Sequence, residues 1–283
     1  MACYLRPESL AEALSSLANT PFTVLAGGTD FYPAHVGKAL TEPVLNINAL
    51  DELRGITCNE QGYQIGALTT WSELLQADLP PCFDGLKQAA RAIGGLQIQN
   101  VATLGGNLCN ASPAADGVPN LLALDAQVEL RSQQGTRLLP IAEFILGNRR
   151  TACRPDELLY ALHIPTNAPA SRSIFLKLGS RCYLVISIVM VAVVLNTDSN
   201  GKVQNIRIAV GACAETAQRL PVLELRLSRQ AVTPALLDTI GPDIVHALRP
   251  IDDVRGSAQY RLDAAQTLVR RAIQQLLLTE QSI

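Results

Sequence analysis

Apolar periodicity changes character several times along this chain, and the order of those changes limits the architecture it can adopt. Short runs with strand character, Phe22 to Ala26, Val44 to Ile47 and Tyr63 to Ala67, share the first part with helical segments. Leu10, Ala13, Leu14 and Leu17 follow the i, i+3, i+4, i+7 spacing of one buried helix face, and Ser9 stands where it can cap that helix. A helix near Thr70 to Gln76 and another over Phe83 to Ile93 follow. Ala126, Val128 and Leu130 alternate with polar residues, and Gln134-Gly135 turns the chain into Thr136 to Leu139, a hairpin signal. Glu157 to Ile164 reads as a strand ended by Pro165, and Asn167-Ala168-Pro169-Ala170-Ser171 as a linker. Strands return over Ser173 to Leu178, within the apolar run Val185 to Leu195, and over Val203 to Ala212. The end is helical: Ser257 to Leu278 sets Leu262, Ala265, Leu268, Val269, Ala272, Ile273 and Leu276 on one stripe. This order predicts an α+β chain of two domains.

Composition excludes several function classes. A formal net charge of −2 gives no electrostatic reason to bind nucleic acid or an anionic membrane. Charged residues make up 17%, below the usual ~25%, as expected of a surface partly covered by another chain. Val185 to Leu195 is far shorter than the ~18 residues a membrane span requires. The start, Met-Ala-Cys-Tyr-Leu-Arg-Pro, lacks a basic stretch leading into an apolar core, so no signal peptide and a cytoplasmic location are expected. The seven cysteines (3, 58, 82, 109, 153, 182 and 213) are never closer than 24 residues, which leaves no CxxC-type spacing. His35, His163 and His246 are equally scattered, so reduced thiols and no metal site are expected.

Two glycine segments hold the chemical information. Gly27-Gly28-Thr29-Asp30 and Thr103-Leu104-Gly105-Gly106-Asn107 each follow apolar residues. Glycine permits φ > 0 and close backbone approach, so successive amides can converge on an anion. Thr29, Thr103 and Asn107 add hydroxyl and amide groups, a pattern suited to a diphosphate between two turns. Plain structural turns are the other reading of the same residues. No GxGxxG opens a helix and no GxxxxGK[ST] is present, so the Rossmann and P-loop solutions do not apply.

Here a family resemblance enters. Ala26-Gly27-Gly28-Thr29-Asp30, Asn100 through Asn107 and Ala111-Ser112-Pro113-Ala114-Ala115-Asp116 resemble the FAD-binding subunit of molybdenum hydroxylases, the xanthine dehydrogenase and carbon monoxide dehydrogenase type. Gly211-Ala212, Arg219-Leu220-Pro221 and Pro250 through Arg261 resemble the same family's second domain, so the likeness runs nearly end to end. It implies a two-part FAD-binding domain of the PCMH/VAO-like type over 1–168, with subdomains of about 1–55 and 56–168. A smaller α+β domain of antiparallel sheet and helices follows over 172–283. Leu25, Ala26, Gly27, Gly28, Thr29 and Asp30, with Ala102, Thr103, Leu104, Gly105, Gly106 and Asn107, would hold the FAD pyrophosphate. Asp116 matches an acid that holds the cofactor's polar part, with helix capping as the alternative, and Ile93 falls where a residue packs on the adenine. Leu159 and Lys177 match positions near the isoalloxazine, where a lysine would favour the anionic reduced ring. Asp252, Asp253 and Arg255 read as a turn capping the last helix. Gln99 replaces an arginine that many relatives carry, and Cys182-Tyr183-Leu184-Val185 replaces a segment with an aspartate near the ring, which leaves the electron acceptor open.

The implied function is electron transfer without any catalytic acid, base or nucleophile on this chain. A large molybdopterin subunit and a small subunit with [2Fe–2S] clusters would be the partners, in a dimer of heterotrimers. Electrons would pass to NAD, a quinone or O2. Two other readings of the same residues remain: a stand-alone FAD-dependent oxidase of the same fold, and an assembly subunit that has lost its cofactor.

Overall fold

The computed structural model describes residues 3–167, 171–182 and 184–280, and has the expected α+β class. The linker residues Ala168, Pro169 and Ala170, and Tyr183, lie outside the described residues. Two compact units form, and each is assembled from separated stretches of chain.

Unit 1 comprises 1–77, 95–111 and 126–165. Its first sheet is small and parallel, with strands β1 (Tyr4–Leu5), β2 (Thr23–Leu25) and β3 (Val44–Asn46) in the order β1-β3-β2. The helix Leu10–Asn19 joins β1 to β2; Ser9 caps it by accepting from the Glu12 amide, and Ala13, Leu14 and Leu17 form its buried side. The second sheet is antiparallel, formed by β4 (Ile56–Asn59), β5 (Gly62–Gly66), β6 (Gln127–Ser132), β7 (Gly135–Pro140) and β10 (Leu158–Pro165). Its order is β4-β5-β10-β6-β7. Between β7 and β10 lies a two-stranded ribbon, β8 (Ile145–Gly147) with β9 (Arg150–Thr151). The helix Trp71–Gln76 starts with a capping box, in which the Thr70 hydroxyl accepts from the Glu73 amide and Glu73 accepts from the Thr70 amide at 2.6 Å.

Unit 2 comprises 78–94, 112–125 and 166–283. Its antiparallel sheet runs β11 (Arg172–Leu178), β12 (Val189–Thr197), β13 (Val203–Gly211), β14 (Gln218–Arg219). Val189 to Leu195 of β12 is buried at every position, so this strand is covered on both faces. Successive side chains point to opposite faces. Val189, Val191, Val193 and Leu195 join Ala265, Val269, Ala272, Ile273 and Leu276 of the long helix Ala258–Glu280 in one core. The face bearing Met190 is covered differently: a Cβ on Gly211 of β13 would meet both Met190 and Pro119. Pro119 belongs to the helix Gly117–Ala123, a piece of chain from before the linker. The helix Asp84–Ala92 joins the same unit, where the Gln88 side chain accepts from the Phe175 amide and Ser173 accepts from the Gly85 amide. Ala258–Glu280 is capped as the sequence indicates, by Asp252 on the Ala258 amide and Ser257 on the Tyr260 amide. Arg261, 3% exposed, ties the helix to Asp253 and to the Ile188 and Ala212 carbonyls.

In unit 1 Arg137 grips Glu157 with two bonds of 2.6 and 2.7 Å and also donates to the Ala152 carbonyl. Burial pushes the Glu157 carboxyl up, but Arg137 and the Arg154 amide outweigh it and hold the group below its ordinary value. A lowered carboxyl stabilises the fold above its ordinary pKa, and that stabilisation is lost as pH falls through the lower folded value. Arg137→Met is therefore expected to cost about 2 kcal/mol at pH 7. Urea unfolding should show the difference from wild type shrinking once pH drops below about 4.

Candidate functional site

The first glycine segment is a loop in unit 1 that leaves β2 and leads into the short helix Phe31–Ala34. Its position is fixed from below: the Leu25 carbonyl accepts from the Ile47 amide and the Ala26 carbonyl from the Asn48 side chain at 2.8 Å. Gly27 lies so close to the chain before the second segment that a Cβ there would be 1.9 Å from the Val101 carbonyl oxygen and 3.0 Å from the Ala102 Cα. No side chain fits in that space. Gly28 adopts φ +71°, and a Cβ there would strike the Tyr32 ring. The amides of Gly27, Gly28, Thr29 and Asp30 have no partner among the described residues. They are four successive unused donors on a largely half-exposed loop, a composition suited to an anion.

The second segment departs from the expected turn. Thr103 is the N-cap of the helix Leu104–Asn110, and its amides are already engaged. The Leu104 amide donates to the Thr69 carbonyl, that of Gly105 to the Ala67 carbonyl, that of Gly106 to the Thr103 hydroxyl and that of Asn107 to the Thr103 carbonyl. A Cβ on Gly105 would come within 2.8 Å of Ala67, so this glycine permits the helix to sit against the end of β5. Gly106 is half-exposed, and the only atom near its missing Cβ is the Thr103 hydroxyl. Asn107 has a buried Oδ1 without a hydrogen-bond partner among the described residues. Such a group costs about 1–3 kcal/mol unless a ligand or water completes it.

The first segment approaches the second through Gly27 against the Val101–Ala102 backbone, and the two present different things: free amides from 27–30, and a rigid capped helix with one unfilled side-chain acceptor from 103–107. Leu25, Leu104 and Leu159 are buried in the core of unit 1, Leu159 on β10 opposite Leu130. Ala102 gives its carbonyl to the Trp71 amide.

In unit 2, Asp116 is 5% exposed, and it stands at the start of Gly117–Ala123 without making a side-chain cap. Its two oxygens instead take Lys177 Nζ at 2.6 Å and the Ser187 hydroxyl. Two residues separated by 61 positions and expected independently to face one cofactor are thus partners of each other. Burial pushes the Asp116 carboxyl up, against the pull of Lys177 and Ser187. Lys177 β-strand placement does not leave it solvated: its side chain is 9% exposed, and its charge is matched by Asp116. A lone cation, able to favour an anionic ring, is not what this pair presents. Ile93 caps the helix Asp84–Ala92 and is half-buried. Among the described residues, no three His, Cys, Asp or Glu side chains gather as a metal site.

Sequence reasoning did not select Ser187 or Asn48. Ser187 interrupts an otherwise apolar run, which was its signal; Asn48 has none, since its role depends on where the Ala26 carbonyl falls.

Comparison with known proteins identifies the family. The family described as FAD binding domain in molybdopterin dehydrogenase matches residues 1–167, and the CO dehydrogenase flavoprotein C-terminal domain matches residues 175–276. The xanthine dehydrogenase FAD-binding subunit of Escherichia coli O157:H7 is 33% identical over 277 residues, covering 96% of this chain and 94% of that protein. The carbon monoxide dehydrogenase medium chain of Hydrogenophaga pseudoflava is 30% identical over 282 residues, covering 95% of each. The solved structure of reconstituted CO dehydrogenase from Oligotropha carboxidovorans gives a TM-score of 0.90 at 28% identity, over 97% of this chain and 96% of that one.

The buried pair has a measurable signature. Lys177→Met leaves a carboxylate without its counter-ion and is expected to cost about 3 kcal/mol at pH 7, whereas Lys177→Met with Asp116→Asn should recover most of it. Because a buried acid binds its proton more tightly when folded, the deficit of Lys177→Met should shrink as pH falls. Urea unfolding at two pH values checks both.

Proposed function

This chain belongs to the FAD-binding subunits of the molybdopterin dehydrogenases, and from that premise we propose that it is the electron-transfer component of an oxidoreductase complex. Electrons arriving from the [2Fe–2S] clusters of a small partner subunit leave this chain for NAD, a quinone or O2. A large partner subunit holds the molybdopterin. Relatives named as subunits and medium chains favour work within a complex over a stand-alone oxidase. A dimer of heterotrimers in the cytoplasm completes the proposal. Among the described residues no helix is long and apolar enough to cross a membrane.

The observation that supports this reading best is the run of unpartnered amides at 27–30, held beside 101–102 by a glycine that admits no side chain. Such a run suits a diphosphate: amide donors can neutralise a dianion without a buried cationic side chain. We assign Leu25 through Asp30 and Ala102 through Asn107 to the diphosphate region. The amides at 27–30 bind, Thr103 keeps the helix start rigid, and the Asn107 Oδ1 takes a donor, a water or a cofactor O–H or N–H beside the diphosphate, since phosphate oxygens only accept. Leu159 contributes as a core residue that shapes β10. For Ile93 (adenine), Asp116 (polar part) and Lys177 (isoalloxazine) the support is the family match along the chain. FAD, when bound, supplies exchange between one-electron and two-electron carriers, while the protein supplies binding and redox tuning. As functional domains we propose 1–168, divided near 55, and 172–283.

Gly27→Ala should reduce the flavin content of the purified chain below about a tenth of wild type, since the added methyl has no space. Gly37→Ala is the control, because nothing lies within 4 Å of a Cβ there, so it adds the methyl and the strain of a positive φ (+73°) without a clash. Flavin absorbance against protein concentration, with circular dichroism to verify folding, reads the outcome. Anaerobic addition of NADH identifies the acceptor: rapid bleaching of the flavin is expected for NAD, and its absence would assign a quinone or O2.

A further inference from the structure

Asp30 poses a physical problem within the loop just assigned to a diphosphate. A carboxylate beside a run of anion-binding amides repels any dianion the run holds, and loses it affinity. Asp30 begins the short helix Phe31–Ala34 but makes no side-chain cap, so its charge is not spent locally. Its carboxylate meets Arg149 in a two-pronged contact, Nη1 to Oδ2 at 2.9 Å and Nη2 to Oδ1 at 3.4 Å. The two residues are separated by 119 positions.

Arg149 is held in place with care. It lies in the turn between β8 and β9 at φ +55°, a left-handed conformation that L-residues adopt reluctantly. Its amide donates to the Ala111 carbonyl at 3.1 Å. Ala111 terminates the helix Leu104–Asn110, itself left-handed at φ 46°. The backbone of Arg149 therefore docks on the far end of the helix that starts with Thr103, and its side chain reaches the far end of the first glycine loop. As an exposed ion pair (side chains 63% and 48% exposed) it adds little to stability, so its value lies in charge placement.

We propose that Arg149 is a positioning residue for diphosphate binding: it neutralises Asp30, so that the amides at 27–30 face their anion without a competing negative charge. This rests on the reading of the loop given above.

The test titrates the full-length chain, freed of flavin, with FAD and with riboflavin, which lacks phosphate, following flavin fluorescence. Arg149→Gln should weaken FAD about tenfold, the scale of one extra negative charge near a dianion at a water-facing site, and leave riboflavin unchanged. Asp30→Asn should bind FAD at least as tightly as wild type. The double variant Asp30→Asn/Arg149→Gln should return FAD affinity to within about threefold of wild type, since the repelling charge is gone. Arg149→Lys, which keeps the charge, should stay close to wild type. If Asp30→Asn weakens FAD as much as Arg149→Gln and the double variant is no better, the pair is merely a latch and the proposal fails. It fails equally if Arg149→Gln leaves FAD affinity unchanged. With Gly27→Ala losing FAD in the same assay, either result overturns this inference alone. Gly27→Ala binding FAD normally would overturn the diphosphate reading and this inference together.

Discussion

The absence of one carbon atom organises the site in unit 1. With no side chain at position 27, the loop after β2 can lie against the Val101 carbonyl. That contact brings unpartnered amides next to a helix whose own amides are all in use. Packing here is a choice about where polar groups stay unsatisfied, because almost every backbone donor in a folded chain finds a partner. Among the described residues, four amides on one loop and the Asn107 oxygen on the adjoining helix of unit 1 stay without partners. A ligand with complementary groups recovers what folding left incomplete.

Electrostatics in the two units follows a common rule. Asp30 and Asp116 are both acids at positions where a negatively charged cofactor is expected, and both are neutralised by a basic residue far away in sequence. The exposure differs and so does the consequence. Arg149 and Asp30 are bathed in water, where their mutual attraction is small and loss of either leaves the other solvated. Lys177 and Asp116 are removed from water, where losing either one strands the other.

Local order in this fold was legible because it is written in short-range pattern. Ser9, Thr70 and Ser257 cap the helices they precede, and Val128 and Leu130 mark a strand by alternation. The glycine pairs marked two segments that the fold brings close, through Gly27 against Val101 and Ala102. What failed was the equivalence of the two: Gly105-Gly106 opens a helix, since Thr69 and Ala67 supply carbonyls that no local pattern reveals. The pairs Asp116 with Lys177 and Asp30 with Arg149 were invisible for the same reason, because they depend on long-range placement. The strands β1, β4, β8 and β9 are too short, or too exposed, to leave a periodic signal.

The double cover of β12 has a bearing on how the polypeptide is made. Synthesis delivers Asp84–Ala92 and Gly117–Ala123 long before the strand they shelter, and Ala258–Glu280 well after it. While the ribosome is between those events, Val189 to Leu195 emerges with one cushion ready and the other still missing. A nascent chain in that condition shows a bare, β-branched surface to its surroundings, the type of surface that chaperones retain and that self-associates when they do not. For unit 2, then, the sheet becomes safe only once Ala258–Glu280 has been made and has closed over it.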